Sequence, residues 1–191
     1  MHKAAFLAFA LSAVALTGCG RQMPPGATDI TGTMPALSFT MTRASDGAGI
    51  SANDYRGKVV VLYFGYTHCP DVCPATLANL TDLLQYLGRD ADKVRVLFVT
   101  VDPNRDTLPI LKQYAAAFAP QVDGLRGSDN ELAALARRYR VAYSVDPGPP
   151  YTVMHSSAVF FFDAGGRARM VTLSTDDTAA LANVVERLVH G

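Results

Sequence analysis

Cysteine is scarce in this chain. Of the three among 191 residues, two, Cys69 and Cys73, stand four positions apart. So small a set excludes a disulfide-stapled scaffold. Basic and acidic residues balance at 17 each. No cationic excess is available to hold phosphates, which argues against nucleic acid as a partner. After the first residues no apolar run is long enough to cross a bilayer. No internal repeat is evident, and the length suits one domain with a sizeable core.

An apolar run does occur at the start. Lys3 precedes Ala4 to Leu16, long enough for the hydrophobic part of a signal and too short for a permanent span. The run ends Leu16-Thr17-Gly18-Cys19, small residues before a cysteine, which resembles a bacterial lipobox. The expected organisation is a lipoprotein signal peptide over residues 1–18, a lipidated Cys19 opening a flexible tether over 19–35, and the functional domain over 36–191. Such a chain sits in the bacterial cell envelope, held to the membrane by its lipid and facing the periplasm or another extracytoplasmic side. Gly20 leaves inner and outer membrane both open. With Cys19 consumed by lipid, Cys69 and Cys73 remain as the only pair. Their closed loop is too short to constrain the unfolded chain much, so a reactive or metal-binding site explains them better than a staple.

The domain reads as α/β. Leu37 to Met41 and Gly49 to Ser51, with a turn at Asp46-Gly47, predict an N-terminal β-hairpin. Val59 to Phe64 is continuously apolar and rich in β-branched and aromatic residues, as in a buried central strand. Pro74 suits the first turn of a helix. Leu77, Leu80, Leu83, Leu84 and Leu87 carry that helix at helical spacing until Gly88 ends it. A second buried strand follows at Val94 to Val101, then a helix over Thr107 to Phe118. Ser128-Asp-Asn-Glu131 is a capping box opening a helix to about Arg140. Val141 to Val145 is a short strand, and Pro147-Gly-Pro-Pro150 forbids regular structure. Val153 to Asp163 reads as one strand, Gly165-Gly166 as a turn, Ala168 to Leu173 as its partner strand, and Asp176 to Val189 as a closing helix. These elements predict a mixed central sheet flanked by helices.

Cys69 and Cys73 fall where the first buried strand passes into a helix, the end of a sheet where α/β proteins place their chemistry. Helix N-termini favour negative charge, so thiolates are stabilised there. Two thiolates with one imidazole suit a soft or borderline transition metal, copper above all. The imidazole on offer is His155 in Tyr151-Thr-Val-Met-His-Ser-Ser157. His2 leaves with the signal, His190 lies in the tail, and His68 is adjacent to Cys69 in sequence without being placed on its sulfur. Asp102 ends the second buried strand and is a candidate to orient His155 or modulate the thiols. Arg105 and Asp106 are read as fixing that loop and the next helix start. The same two cysteines also suit thiol–disulfide exchange, so metal binding and redox chemistry both remain open on the residues alone.

The run Gly57-Lys-Val-Val-Val-Leu-Tyr-Phe-Gly-Tyr-Thr-His-Cys-Pro-Asp-Val-Cys-Pro-Ala-Thr-Leu77 resembles the signature of the SCO/SenC copper-binding proteins. Val99-Thr-Val-Asp-Pro-Asn-Arg-Asp-Thr107 and Tyr151 to Ser157 are similar to that family's two further motifs. The resemblance implies a thioredoxin-like fold and copper, Cu(I) and also Cu(II), held by Cys69, Cys73 and His155. It implies a metallochaperone that assists assembly of the dinuclear copper centre of cytochrome c oxidase. The partners implied are the subunit carrying that centre, and another periplasmic copper chaperone or a thiol reductase. The other implied role is a thiol–disulfide oxidoreductase that reduces the cysteines of the same centre through Cys69 and Cys73. One departure is Met154, where the family commonly has an acidic residue. Because strand neighbours face opposite sides, Met154 is expected to face the core if His155 faces the cysteines.

Overall fold

Burial at every position of Val59–Gly65 (β4) places the continuous apolar run at the centre of the sheet. Its side chains alternate. Val59, Val61 and Tyr63 enter one core layer with Leu77, Leu80 and Leu83, and Val60, Leu62 and Phe64 enter the other with Leu132 and Leu135. A strand covered on both faces needs apolar residues at both parities, which is why no alternation is visible in its sequence. The computed structural model describes residues 23–191. The expected signal peptide and Cys19 lie outside the described residues.

Around β4 the described chain runs β1 (Ala27–Asp29), β2 (Thr40–Arg43), β3 (Gly49–Ser51), β4, α1 (Val72–Leu87), β5 (Val94–Thr100), α2 (Leu108–Ala116), β6 (Val122–Arg126), α3 (Asp129–Arg138), β7 (Tyr143–Asp146), β8 (Thr152–His155), β9 (Val159–Phe162), β10 (Ala168–Thr172) and α4 (Thr178–His190). The main sheet has the order β1-β10-β9-β4-β5-β6-β2-β3. β4, β5 and β6 are parallel, and β9 joins β4 antiparallel. α1, α2 and α4 cover one face and α3 the other. This is the mixed, helix-flanked, thioredoxin-like α/β arrangement expected, with β2 and β3 as the N-terminal hairpin. Among the described residues no helix is long and apolar enough to cross a membrane.

Local signals act where they were read. Gly47 turns the hairpin at φ +74° and Gly88 ends α1 at φ +55°. Ser128 and Glu131 form the reciprocal capping box of α3.

Three expectations need correction. Residues 27–29 are not tether: β1 pairs with β10 and Ile30 is buried. A three-residue, largely exposed edge strand has no apolar period to betray it. β6 was not anticipated, because Asp123 and Gly124 interrupt its pattern. Gly124 is required by packing, since a Cβ there would lie 2.7 Å from Leu111 Cγ of α2. The single strand expected over 153–163 is two. β8 pairs with β7 in a separate two-stranded hairpin, whereas β9 belongs to the main sheet. Ser156 donates its amide to Ala142 O at 2.9 Å, which holds the chain where it leaves one sheet for the other.

At the end of β4 the backbone passes close to both core and cysteine. A Cβ on Gly65 would lie 2.5 Å from Phe98 Cε2 and 2.9 Å from Cys73 Sγ. Gly65→Ala is therefore expected to destabilise the protein by about 1–3 kcal/mol through overpacking, measured as a lower midpoint in urea. An unchanged midpoint would show that the thiol and ring move aside freely.

Candidate metal centre

The chain leaves β4 at Gly65, loops through Tyr66 to Pro70, and enters α1 at Val72. Asp106 fixes this loop. Its carboxylate is fully buried and accepts hydrogen bonds from Thr67 N at 2.9 Å, Thr67 Oγ1 at 2.6 Å and Thr100 Oγ1 at 2.6 Å. It joins the loop to the end of β5. Cys73 lies in the first turn of α1 with its side chain in the core. Cys69 precedes the helix and is half-buried, so only one of the two cysteines is helical. The Cys73 amide donates to Cys69 Sγ at 3.4 Å, which aims a helix-terminal N–H at the sulfur.

The third donor arrives from the β7–β8 hairpin. His155 Nδ1–H donates to Ser156 O at 2.9 Å. Because a carbonyl only accepts, this bond leaves the lone pair on Nε2. That nitrogen accepts from Cys73 Sγ at 3.3 Å. The donor atoms of Cys69, Cys73 and His155 all lie within 4.8 Å of one another. The rings of Tyr66 and Tyr63 meet the imidazole edge-on, with centroids 5.8 and 6.1 Å away.

Electrostatics divide the two thiols. Burial opposes ionisation of Cys69, but the amides of Asp71 and Cys73, the Cys73 thiol and the Tyr66 hydroxyl outweigh it and hold its pKa below the ordinary range. Burial pushes Cys73 up to about 12, against the opposing Tyr66 amide. Burial also lowers the His155 pKa, keeping the imidazole neutral, as a ligand must be. Tyr63 Oη is buried and has no hydrogen-bond partner. Its pKa is raised by burial first and by negative charge on Cys73 second. A metal-bound thiolate at Cys73 would give this stranded donor an acceptor. Two sulfurs, one oriented imidazole and a waiting hydroxyl fit a soft cation such as copper.

Asp102 is placed differently from the expectation. It is fully buried at the end of β5, but its carboxylate receives Tyr151 Oη at 2.7 Å and the Arg105 guanidinium, not His155. Arg105 stacks 3.8 Å over the Tyr151 ring and lies 5.8 Å from Tyr66. Asp102 thus approaches the imidazole indirectly, through Arg105 and Tyr66. Met154 does point away from His155, yet its side is solvent and not core, for it is 71% exposed. The cause is the detached hairpin, which has no second layer over that face. His68 Nδ1 lies 3.5 Å from Asp106, outside the donor cluster. Asp106 fixes more than its own loop, since it also ties down the loop of Cys69, and neither that reach nor the place of Tyr63 is visible in the sequence. An aspartate six residues past a buried strand and a tyrosine within one are weak signals until the fold brings them to the cysteines.

A thioredoxin-like domain carrying a preformed Cys-Cys-His cluster is the class defined by this fold and site. The sequence model of the SCO1/SenC family matches residues 30–190, and the chain belongs to that family. The mitochondrial SCO2 homolog of Bos taurus is 41% identical over 135 residues, 64% of this chain and 51% of that protein. A SCO2-like protein of Rickettsia felis is 32% identical over 126 residues, 64% of this chain and 62% of its own. The chain thus spans about half to two thirds of these relatives. Among solved structures, copper-bound ScoI of Bradyrhizobium japonicum superposes with TM-score 0.73 at 34% identity, over 80% of this chain and 98% of that one. Copper-bound yeast Sco1 gives 0.73 at 30%, over 82% and 90%.

The contrast between the thiols predicts their order of reaction. In the reduced, metal-free protein, iodoacetamide should label Cys69 at least about tenfold faster than Cys73, since reactivity follows thiolate fraction and access. Mass spectrometry of briefly labelled protein checks this, and equal labelling would contradict the asymmetry.

Proposed function

We propose that this protein is a copper metallochaperone that binds one copper ion through Cys69, Cys73 and His155 and assists assembly of the dinuclear copper centre of cytochrome c oxidase. The observation that carries the proposal is the donor cluster itself, three ligand atoms within 4.8 Å with the Nε2 lone pair already turned inward. Three soft-to-borderline donors satisfy Cu(I) at low coordination and leave one side open for ligands of the recipient. Structural zinc usually takes four protein ligands. The relatives solved with copper bound support the same cargo. Anchoring through a lipidated Cys19, with the domain on the periplasmic side, completes the proposal and rests on the lipobox-like sequence.

The split thiols support a second reading. A Cys69 thiolate can attack a partner disulfide, expelling one partner thiolate. Cys73 then attacks the mixed disulfide, leaving Cys69–Cys73 oxidised and the partner reduced by two electrons. Such a step would prepare the recipient's cysteines for copper.

Titrating Cu(I) into the reduced protein against a competing chelator separates the readings. One tight copper per chain is expected. His155→Ala should weaken it by at least the roughly 10–100-fold that loss of even an outer-sphere partner costs. Cys69→Ser with Cys73→Ser should abolish tight binding, and stoichiometric binding that survives both changes would remove the site from consideration. Weak binding indifferent to His155 would favour the exchange reaction.

A further inference from the structure

A hydroxyl buried without a hydrogen-bond partner is costly, and a native fold keeps one only for a reason. Among the described residues Tyr63, Tyr114 and Ser156 carry such hydroxyls. Ser156 follows His155 and accepts from its ring through the backbone carbonyl. The Tyr114 ring packs on Phe98 with centroids 5.3 Å apart, so Phe98 stands between it and the end of β4. Tyr63 belongs to β4 itself.

Tyr63 and Gly65 share one face of that strand, because side chains alternate along it. Cys73 Sγ lies 2.9 Å from where a Cβ on Gly65 would stand, so the sulfur occupies the space next to the Tyr63 side chain. The Tyr63 ring meets the His155 imidazole edge-on at 6.1 Å, and that imidazole lies 3.3 Å from Cys73 Sγ. Tyr63 is fully buried, so water does not serve its hydroxyl. The groups facing that hydroxyl are the Cys73 and Cys69 sulfurs and the Thr76 side chain. A neutral thiol is a weak acceptor, which accounts for an idle donor in the metal-free protein. A thiolate is a far better one than the Thr76 hydroxyl.

We propose that Tyr63 is a positioning residue that sets which oxidation state the site retains: its hydroxyl donates to the Cys73 sulfur when copper is bound and so favours Cu(I). The inference rests on the copper reading of the site and adds a choice of oxidation state to it. Ligation requires both cysteines as thiolates. With Cu(I) the two thiolates leave one net negative charge, and with Cu(II) they leave none. A buried net charge needs a donor, and a neutral centre needs it much less. The Tyr63 hydroxyl is therefore worth more to the Cu(I) state. Hydrogen bonds to ligating sulfur tune metal potentials in this way. Cu(I) is also the state that three donors satisfy with one side left open.

Anaerobic chelator competition, run separately with Cu(I) and with Cu(II), tests this. Tyr63→Phe keeps the ring and removes the donor. It should shift the ratio of the two affinities toward Cu(II) by about tenfold, a fall of about 59 mV in the one-electron potential. Its sulfur-to-Cu(II) absorption band should move to longer wavelength, because a sulfur freed from a hydrogen bond gives up charge more easily. In the metal-free protein the same change should leave the thermal midpoint at or above that of wild type, since it removes a donor with nothing to bond. Tyr114→Phe, which removes another buried and unpartnered hydroxyl, should leave the affinity ratio unchanged. An unchanged ratio in Tyr63→Phe would overturn the proposal. An equal shift in Tyr114→Phe would overturn it too, by tracing the effect to core polarity and not to a bond with Cys73. So would a lowered metal-free midpoint, which would show that the hydroxyl already has a partner. Failure of wild type to bind Cu(I) tightly would instead remove the copper reading, and this inference with it.

Discussion

The seat of the Cys73 sulfur governs this structure. It is closed by a residue without a side chain on one side, since Gly65 admits it only by lacking a Cβ, and by the core-packed first turns of α1 on the other. A thiol held this way has a fixed position, and a cluster can form only if the other two side chains are brought to the same point. The carboxylate of Asp106 does this for the loop carrying Cys69, by tying Thr67 to the end of β5. The bond from His155 Nδ1 to Ser156 O does it for the imidazole. Pre-arrangement lowers the conformational freedom lost on binding. On the proposed reading it also accounts for a buried thiol whose pKa burial raises, because a bound cation would stabilise the anion.

The two thiols divide the labour. Cys69 is partly open, ionises readily and receives a helix-terminal amide, so it is equipped for first contact with a metal ion or a disulfide. Cys73 is retained in the core, placed to complete a bond that Cys69 would begin. The two proposed activities, metal capture and disulfide exchange, would therefore use one geometry, and the imidazole would distinguish them. Exchange needs only the sulfurs, whereas a three-donor site needs His155 as well.

Much of this was legible in the chain. The apolar run at Val59, the leucines of α1 and the capping box at Ser128 each obey a local rule that the tertiary structure has no cause to override. The donor trio was legible because its residue types are rare in this chain and its motif is specific. The rest was hidden for definite reasons. β6 carries Gly124 because α2 crosses it closely, a demand invisible in one dimension. The division of residues 153–163 between two sheets left no mark, since both halves favour extended backbone. Asp102 looked like a partner for the imidazole from its place at a strand end. Only the fold shows Tyr151 and Arg105 arriving first. Met154 was placed by strand parity, which was correct, but parity says nothing about what lies on the other side.

His155 reaches Cys73 from 82 positions away, and it does so from a hairpin attached to the finished main sheet. An unfolded chain already carries both cysteines, but it does not hold the His155 imidazole beside them. On the proposed reading, tight binding through all three donors is a property of the completed fold, and by linkage the ion would stabilise that fold selectively. On the same reading, a chain that has misfolded lacks the assembled site, and correct folding becomes a condition for carrying the metal at all.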